Sequence, residues 1–194
     1  MTVNTLIYNN RFFKNTIKLE QSTAKITAKI LIKHFHPKSV IDIGCGAGVY
    51  LKEFQRQRII ILGYDGSLAA KKNSLVGQKI KLHDLCQPLK LRQRFDLCLC
   101  LEVAEHLPAK CANTLIKTLC HLANTIIFTA ATPGQGPISI GHINEQLHQY
   151  WIKKFKEQDF NLNKTLTKKI KQEMKKQQVI WWLSKNLMIF QKHV

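Results

Sequence analysis

Residues 40–48 read Val-Ile-Asp-Ile-Gly-Cys-Gly-Ala-Gly, and this stretch decides the fold. Val40, Ile41 and Ile43 form a short apolar run that is typical of a buried parallel strand. Three glycines follow at alternate positions, and residues 49–54 then carry apolar side chains at helical spacing. A strand, a glycine-rich turn and a helix together predict a nucleotide pocket, because glycine lets a ligand approach the backbone and the start of a helix presents free N–H groups.

The spacing of these glycines separates two kinds of nucleotide site. A dinucleotide fingerprint requires Gly-x-Gly-x-x-Gly, but the residue three positions after Gly46 is Val49. The pattern here is Gly-x-Gly-x-Gly over Gly44, Gly46 and Gly48, with Asp42 two residues before it. This variant resembles motif I of the class I S-adenosylmethionine (SAM)-dependent methyltransferases. The resemblance implies SAM as the cofactor, S-adenosylhomocysteine as its product, and the three glycines as part of the cofactor site.

Composition limits the other function classes. With 194 residues the chain suits one α/β domain. Its net charge of +18 has two explanations: binding to a polyanion, either nucleic acid or an anionic membrane, or the use of lysine for solubility. No apolar run approaches the ~20 residues that span a bilayer. Residues 1–15 show no secretion signal, and the six cysteines form no Cys-x-x-Cys pair. We therefore expect a cytoplasmic, reducing location, with Cys98 and Cys100 as core residues.

Strands and helices alternate along the chain, which predicts a doubly wound parallel sheet in an α/β domain. We expect a cap or lid segment over residues 1–19 and a single domain over residues 20–194. Strands are predicted at residues 39–43, 59–64, 79–82, 95–101, 125–130, 160–162 and 187–191. Helices are predicted at residues 20–35, 47–57, 108–122, 144–156 (with Asn144 as N-cap) and most of 165–184, before a turn at Asn186. The resemblance implies a Rossmann-like sheet of seven strands with an antiparallel last strand.

Acidic residues follow several of the predicted strands, and ligands of open α/β sheets bind beyond the carboxyl ends of the strands. Asp65 closes the second strand, where a carboxylate can accept two hydrogen bonds from ribose hydroxyls, although NAD would use the same residue. By the resemblance, Asp65 is the ribose-binding acid, and Asp84 with Leu85 contacts adenine. The resemblance also assigns Asp42 and Glu102 to the methionine end of SAM.

Residues 95–108, which end Leu-Glu-Val-Ala-Glu-His-Leu-Pro, are similar to the region after strand four of the ubiquinone-pathway and related methyltransferases. Glu105 and His106 would then lie at the mouth of the substrate pocket. His106 can act as a general base near neutral pH, or the pair only locks a turn by hydrogen bonding. His142 is expected on the same rim as a second candidate base. These three side chains would also suit a metal ion, but we expect no metal.

A second string supports the resemblance. Gly-His-x-Asn-Glu-Gln at 141–146, Tyr-Trp at 150–151 and the ending at 181–190 resemble a set of small bacterial methyltransferases, so the likeness covers roughly residues 20–191. We expect a SAM-dependent methyltransferase that acts on a hydroxyl, carboxyl or amine of a small molecule, such as a glycan or lipid precursor. The alternatives are an RNA methyltransferase that uses the lysine-rich segment 153–176 and a protein that binds SAM without catalysis. The oligomeric state is not predicted.

Overall fold

The computed structural model describes residues 4–136 and 141–193. The strands are β1 (Ser39–Ile43), β2 (Ile60–Asp65), β3 (Ile80–Leu82), β4 (Leu97–Leu101), β5 (Thr125–Thr129), β6 (Phe160–Leu162) and β7 (Met188–Lys192). The helices are α1 (Asn10–Phe35), α2 (Val49–Arg56), α3 (Leu68–Lys72), α4 (Ala112–Leu122), α5 (His148–Lys156), α6 (Lys164–Lys176) and α7 (Trp181–Asn186). Short 3-10 turns lie at Gly77–Lys79, Ala104–His106 and Ala109–Cys111.

All seven strands form one sheet in the order β3-β2-β1-β4-β5-β7-β6. The first five strands pair in parallel, whereas β7 pairs antiparallel with both β5 and β6. The strand order changes direction between β1 and β4, which is where ligands of such sheets bind. The predicted seven-stranded, Rossmann-like sheet with an antiparallel last strand is therefore confirmed.

Alternate residues of the central strands pack on opposite faces of the sheet. Val40 belongs to a core cluster with residues of α1, α2, α6 and α7, and Ile41 and Ile43 belong to a second cluster with residues of α4 and α5. Cys98 and Cys100 are fully buried in the second cluster, as expected. Helices thus cover both faces and leave the carboxyl edge of the sheet open for a site.

Several helix boundaries differ from the prediction. The first helix begins at Asn10, capped by the Asn9 side chain, and runs without a break past residue 19. The prediction that Asn144 caps the next-to-last long helix is wrong: α5 begins at His148, and Asn144 is buried with its amide donating to the Ala104 carbonyl. The predicted turn at Asn186 is also wrong, because Asn186 is the last residue of α7 and is fully buried.

Two further features concern the chain as a whole. Within residues 4–136 and 141–193, none of the helices has the length and apolarity required to cross a lipid bilayer. Cys86 and Cys111 form a disulfide, while the other four cysteines are buried thiols. The cysteine spacing did not predict this bond, because the two partners are 25 residues apart and meet only when the turns after β3 and β4 come together in the folded sheet.

Candidate functional site

A cavity of about 710 Å³ opens at the carboxyl ends of β1, β2 and β4. Its size falls within the range of roughly 300–1,000 Å³ that is usual for small-molecule sites. The predicted site residues that border it are Asp42, Gly44, Gly46, Asp65, Asp84, Leu85, Glu102, His106 and His142. Gly48 and Glu105 do not border it, since Gly48 packs under Val76 and the side chain of Glu105 is fully buried in the protein.

The glycine-rich turn brings its backbone directly against the cavity. Gly44 has a φ of 81°, and a Cβ atom there would collide with the Val103 side chain. A Cβ on Gly46 would meet only the ring of Phe13, at 3.5 Å, so the cavity side of this residue is open for a ligand. Gly48 immediately precedes α2 and has a left-handed conformation. Gly48 is thus the N-cap of α2, where glycine adopts this conformation without strain.

Asp65, the last residue of β2, is held in place by two backbone N–H groups. Its Oδ2 accepts from Gly46 N at 2.8 Å, and its Oδ1 accepts from Ser67 N at 2.8 Å. Burial raises the pKa of Asp65, and these two hydrogen bonds oppose the rise by favouring the charged carboxylate. The glycine turn and the tip of β2 are therefore fixed to each other before any ligand arrives.

Two more carboxyl groups lie deeper in the cavity, and both have strongly raised pKa values. Burial, followed by the charges of Asp65 and Glu20, raises the pKa of Asp42 to about 7. Burial and the charge of Glu102 raise the pKa of Glu20, on α1, to about 7. The sequence did not single out Glu20, since only the fold brings α1 over the tip of β1. A cationic ligand would stabilise the charged form of both groups.

Glu102 lies directly after β4 in a left-handed backbone conformation, with a φ of 53°. Such a conformation costs about 1–3 kcal/mol in a non-glycine residue and persists only where surrounding contacts impose it. Here its N–H donates to the Thr129 hydroxyl at 2.9 Å, and Asn186 Nδ2 donates to both carboxylate oxygens at 3.1 and 3.2 Å. Burial raises the pKa of Glu102, while these side-chain hydrogen bonds lower it. Asn186 therefore positions Glu102 from the far end of the chain.

The predicted adenine-contacting residues border the cavity on another side. Asp84 accepts a hydrogen bond from Cys86 N at 2.9 Å, which fixes a tight turn after β3, and Leu85 is buried. The Cys86–Cys111 disulfide joins this turn to the segment that follows His106. It therefore ties a turn that borders the cavity to the segment directly before α4.

Glu105 does not lie at the pocket mouth, so that part of the prediction is wrong. Its side chain is fully buried, Oε1 accepts from Ala131 N at 3.1 Å, and its carbonyl accepts from the N–H groups of Ile143 and Asn144. Burial and the charge of Glu102 raise the pKa of Glu105 well above its usual value. Glu105 thus joins the turn after β4 to the loop that carries His142.

His106 borders the cavity and is held by two oxygen atoms. Its Nδ1 lies 2.8 Å from the Tyr8 hydroxyl and 3.2 Å from the Gly141 carbonyl oxygen. A proton on Nδ1 would be donated to the carbonyl, whereas an unprotonated Nδ1 would accept from the Tyr8 hydroxyl, so these contacts allow either tautomer. Burial, followed by the charge of His142, lowers the pKa of His106 to about 4, so the ring is neutral at pH 7. Tyr8, on the segment predicted as a cap, was not identified from the sequence as a partner of His106.

His142 has the more favourable arrangement for a general base. Its Nδ1 lies 2.6 Å from Glu145 Oε1, and the same carboxylate accepts from the N–H groups of Gly134 and Gly136. Burial acts to raise the pKa of Glu145, but these hydrogen bonds outweigh it and lower the pKa. A charged Glu145 fixes the proton on His142 Nδ1, which leaves Nε2 as the atom that can accept a proton.

The cluster of Glu105, His106 and His142 also meets the distance requirement for a metal site, because one ligand atom of each lies within 4.8 Å of the others. Imidazole and carboxylate ligands suit several divalent transition metals. The geometry therefore allows two uses of the same side chains, proton transfer and cation binding.

Comparison with known proteins identifies the family. A family model described as a methyltransferase domain matches residues 16–174, which is most of the chain. This chain belongs to that methyltransferase family. A ubiquinone biosynthesis O-methyltransferase from Coxiella burnetii is 30% identical over 101 residues, which are 48% of this chain and 40% of that protein. The similar region thus spans less than half of that curated relative.

Solved methyltransferases share the fold. A magnesium protoporphyrin IX methyltransferase from Synechocystis, crystallised with bound S-adenosylhomocysteine, is 17% identical, with a TM-score of 0.64 over 90% of this chain and 84% of that chain. A TehB-like SAM-dependent methyltransferase from Corynebacterium glutamicum is 13% identical, with a TM-score of 0.65 over 95% of this chain and 100% of that chain. At these identities the likeness shows the fold. With the family match, it identifies a SAM-dependent methyltransferase.

The residues of the cavity fit this cofactor. Gly46 leaves room for a ligand against the backbone, and Asp65 borders the cavity where ribose hydroxyls could donate to it. Glu20, Asp42 and Glu102 supply carboxyl groups for a ligand that carries a positive sulfonium and an ammonium group. A chain with a net charge of +18 thus surrounds its cofactor site with acids rather than bases.

Proposed function

We propose that this methyltransferase methylates a hydroxyl oxygen of an apolar, ring-containing small molecule. The observation that carries this proposal is the His142–Glu145 pair, with Nδ1 and Oε1 2.6 Å apart, on a cavity that also has a strongly apolar wall. That wall is formed by Ile7, Phe12, Leu107, Trp181 and Trp182. The three aromatic rings favour an aromatic acceptor, and the wall as a whole excludes water from it.

The charges of the cavity argue against acidic acceptors. Among the described residues that border it, none is lysine or arginine, although the chain has 30 of these residues. A carboxylate or phosphate acceptor would therefore lack a lysine or arginine counter-ion in the cavity. A neutral hydroxyl has no such requirement. The curated relatives are named as O-methyltransferases, which agrees with oxygen as the acceptor atom.

Each site residue then has a defined task. Asp65 binds the ribose hydroxyls, Asp84 and Leu85 hold the adenine end, and Asp42, Glu20 and Glu102 hold the positively charged methionine end. When bound, the cofactor supplies a methyl group on an activated sulfonium, so the protein aligns the acceptor and removes its proton. Alignment of this kind can contribute about 7–11 kcal/mol of the barrier. His142 Nε2 takes the proton, and Glu145 stabilises the imidazolium that forms.

The N-terminal segment contributes to the same cavity. Asn4, Ile7 and Tyr8 border it, and the Tyr8 carbonyl accepts from the Ser67 hydroxyl at 3.2 Å. We therefore infer that residues 1–19 act as a cap over the site, with the difference that residues 10–19 belong to α1. Closure by this segment would separate the acceptor from water during the reaction.

The RNA alternative gains no support, because none of the described residues that border the cavity belongs to segment 153–176. A direct test offers labelled SAM to the full chain with three acceptors: a substituted phenol, the matching benzoic acid, and a structured RNA. We expect label on the phenolic oxygen. Label on the acid or the RNA alone would contradict the proposal.

A chelator separates the two uses of the histidine cluster. If His142 works as a base, EDTA leaves the transfer rate unchanged. If Glu105, His106 and His142 bind a divalent cation that orients the acceptor, EDTA abolishes transfer and added cation restores it. The second result would replace the base in this proposal and retain the reaction.

A further inference from the structure

Exposed apolar side chains surround the mouth of the cavity. Leu19 and Trp181, which border it, are 58% and 56% exposed, and Ile143 is 58% exposed. Leu6, next to the lining residue Ile7, is 87% exposed. We call these four residues the apolar rim. A monomeric protein rarely exposes large apolar groups together, and such groups around a pocket mark an interaction surface.

Lysine residues lie beside this rim, although no lysine or arginine is among the described residues that border the cavity. Lys18 precedes Leu19 on α1 and is exposed, and the ammonium group of Lys185 lies 5.7 Å from the centre of the Trp181 ring. Tryptophan prefers the boundary between water and lipid because its ring is apolar and its N–H is polar. Lysine next to such a residue adds attraction to negatively charged headgroups.

We propose that the apolar rim docks on an anionic lipid surface, so that the cavity opens toward the bilayer. The net charge of +18 attracts the chain to such a surface, and the rim residues enter the apolar boundary. The geometry allows an apolar acceptor to pass from lipid into the cavity without crossing water. This docking goes beyond the proposed function and does not require methyl transfer to occur.

Two other occupants fit the rim less well. A single strand of RNA is held mainly by stacking on aromatic rings, whereas the rim has three aliphatic side chains and one tryptophan. A second copy of this chain would carry the same charge of +18 and would be repelled at low salt. An anionic bilayer satisfies both the charge and the aliphatic character.

The test measures partition of the full chain onto sucrose-loaded vesicles by sedimentation. Vesicles of phosphatidylglycerol with phosphatidylcholine should bind the protein, and vesicles of phosphatidylcholine alone should bind it far less. Leu6→Glu should lower the partition coefficient about tenfold or more, since it replaces a group that enters the apolar boundary by a charge. Lys18→Gln and Lys185→Gln should each lower it about fivefold.

Ile60→Glu is the matched control. Ile60 is 65% exposed but begins β2 at the opposite edge of the sheet, so its substitution should leave partition unchanged. Equal losses for Leu6→Glu and Ile60→Glu, or equal binding to both kinds of vesicle, would overturn the proposal. The proposal would also be overturned if Leu6→Glu disrupted a dimer or RNA binding while vesicle binding stayed intact.

The same variants separate this proposal from the proposed function. Lys185 does not border the cavity and lies outside the cap segment, so Lys185→Gln should retain SAM affinity and transfer to a water-soluble phenol. Loss of vesicle binding with transfer intact is the expected result. Vesicle binding by a chain that methylates no hydroxyl would leave the docking and remove the proposed function.

Discussion

The two ends of the cavity are built in different ways. The proposed cofactor end consists of residues at the carboxyl ends of β1 to β4, within positions 42–102, together with Glu20, and Asn186 supports Glu102. The proposed acceptor end combines the N-terminal segment, the loop at 141–143 and the two tryptophans of α7. Most residues of the cofactor end therefore come from one continuous stretch of strands and turns, whereas the acceptor end is assembled from three distant parts of the chain.

This difference also appears in how rigidly each end is held. At the cofactor end, Asp65 is fixed by the N–H groups of Gly46 and Ser67, both within the same sheet edge. At the acceptor end, His142 is fixed by Glu145, three residues away on the same loop, and that loop is attached to the sheet through Glu105. The first arrangement depends on the sheet itself, whereas the second depends on one loop that is attached to the sheet.

The largest effect is expected at the acceptor end. His142→Ala removes the proposed base and should lower kcat about 10²–10⁴-fold, because that is the usual contribution of a positioned proton acceptor. The dissociation constant for SAM should change little, as measured by calorimetry. His121→Ala, which removes an exposed histidine of α4 that contacts Leu91 O, is the control and should keep full activity.

Two further variants sharpen this prediction. Glu145→Gln keeps the size of the partner but not its charge, so it should lower kcat less than His142→Ala and shift the pH profile of kcat. His106→Ala should also have a smaller effect on kcat, since a group whose pKa is about 4 is a weak base. A larger loss for His106→Ala than for His142→Ala would reverse the roles of the two rings.

The next effect concerns the cofactor end. Asp65→Ala should weaken SAM binding about 10²–10³-fold, because it removes the two proposed charge-assisted hydrogen bonds to the ribose hydroxyls. It also leaves the Gly46 and Ser67 N–H groups unpaired. Isothermal titration calorimetry measures this directly. Asp96→Ala is a matched control: Asp96 also accepts two backbone N–H groups, from Lys38 and Ser39, but at the amino end of the sheet. It should lower stability without changing SAM affinity.

The contrast between the two ends explains what the sequence could predict. The glycine pattern and Asp65 lie within one strand-turn-helix unit and the strand that follows it, so local spacing was enough to locate them. Tyr8 reaches His106 across 98 positions, and Asn186 reaches Glu102 across 84. Contacts of that separation have no periodic pattern, and only the closed sheet brings them together.

The errors have similar physical causes. Asn144 has the residue type of an N-cap, but its amide is used to bind the Ala104 carbonyl in the interior, and the helix starts later. Glu105 carries a charge in the sequence, yet it is buried and joins two loops. In both cases a tertiary hydrogen bond outweighed the local preference of the residue. The roles of the catalytic side chains and the cap stay predictions.

A smaller effect should follow from the support that comes from α7. Asn186→Ala removes both hydrogen bonds to the Glu102 carboxylate, so the charged form of Glu102 loses stabilisation and its pKa rises further. SAM affinity should fall about tenfold, and the free energy of unfolding should fall by about 1–3 kcal/mol. Calorimetry and urea unfolding measure the two quantities on the same sample.

The control for this variant is Asn163→Ala, which removes the N-cap of α6 and a contact with Gln191. It should cost about 1 kcal/mol of stability with no change in SAM affinity. If the two asparagine variants lose affinity equally, the contact between Asn186 and Glu102 has no specific role at the cofactor end.

The smallest effect is a dependence of SAM affinity on pH. The folded-state pKa values of Asp42 and Glu20 are both about 7, well above those of unfolded carboxyl groups. Their burial in neutral form is therefore least costly at low pH, and the stability of the free protein should fall as the pH rises through 7. Binding of a cation acts in the opposite sense, because it favours the charged carboxylates and releases protons.

SAM should consequently bind about three to ten times more tightly at pH 8 than at pH 6, and the heat of binding should depend on the ionisation enthalpy of the buffer. Glu20→Gln should reduce this dependence, since one of the two titrating groups is then absent. Glu53→Gln, which changes a carboxylate of α2 that pairs with Arg56, should keep the full dependence. If the affinity for SAM is the same at both pH values, the acids of the cofactor end do not titrate with binding. Their raised pKa values would then reflect burial alone.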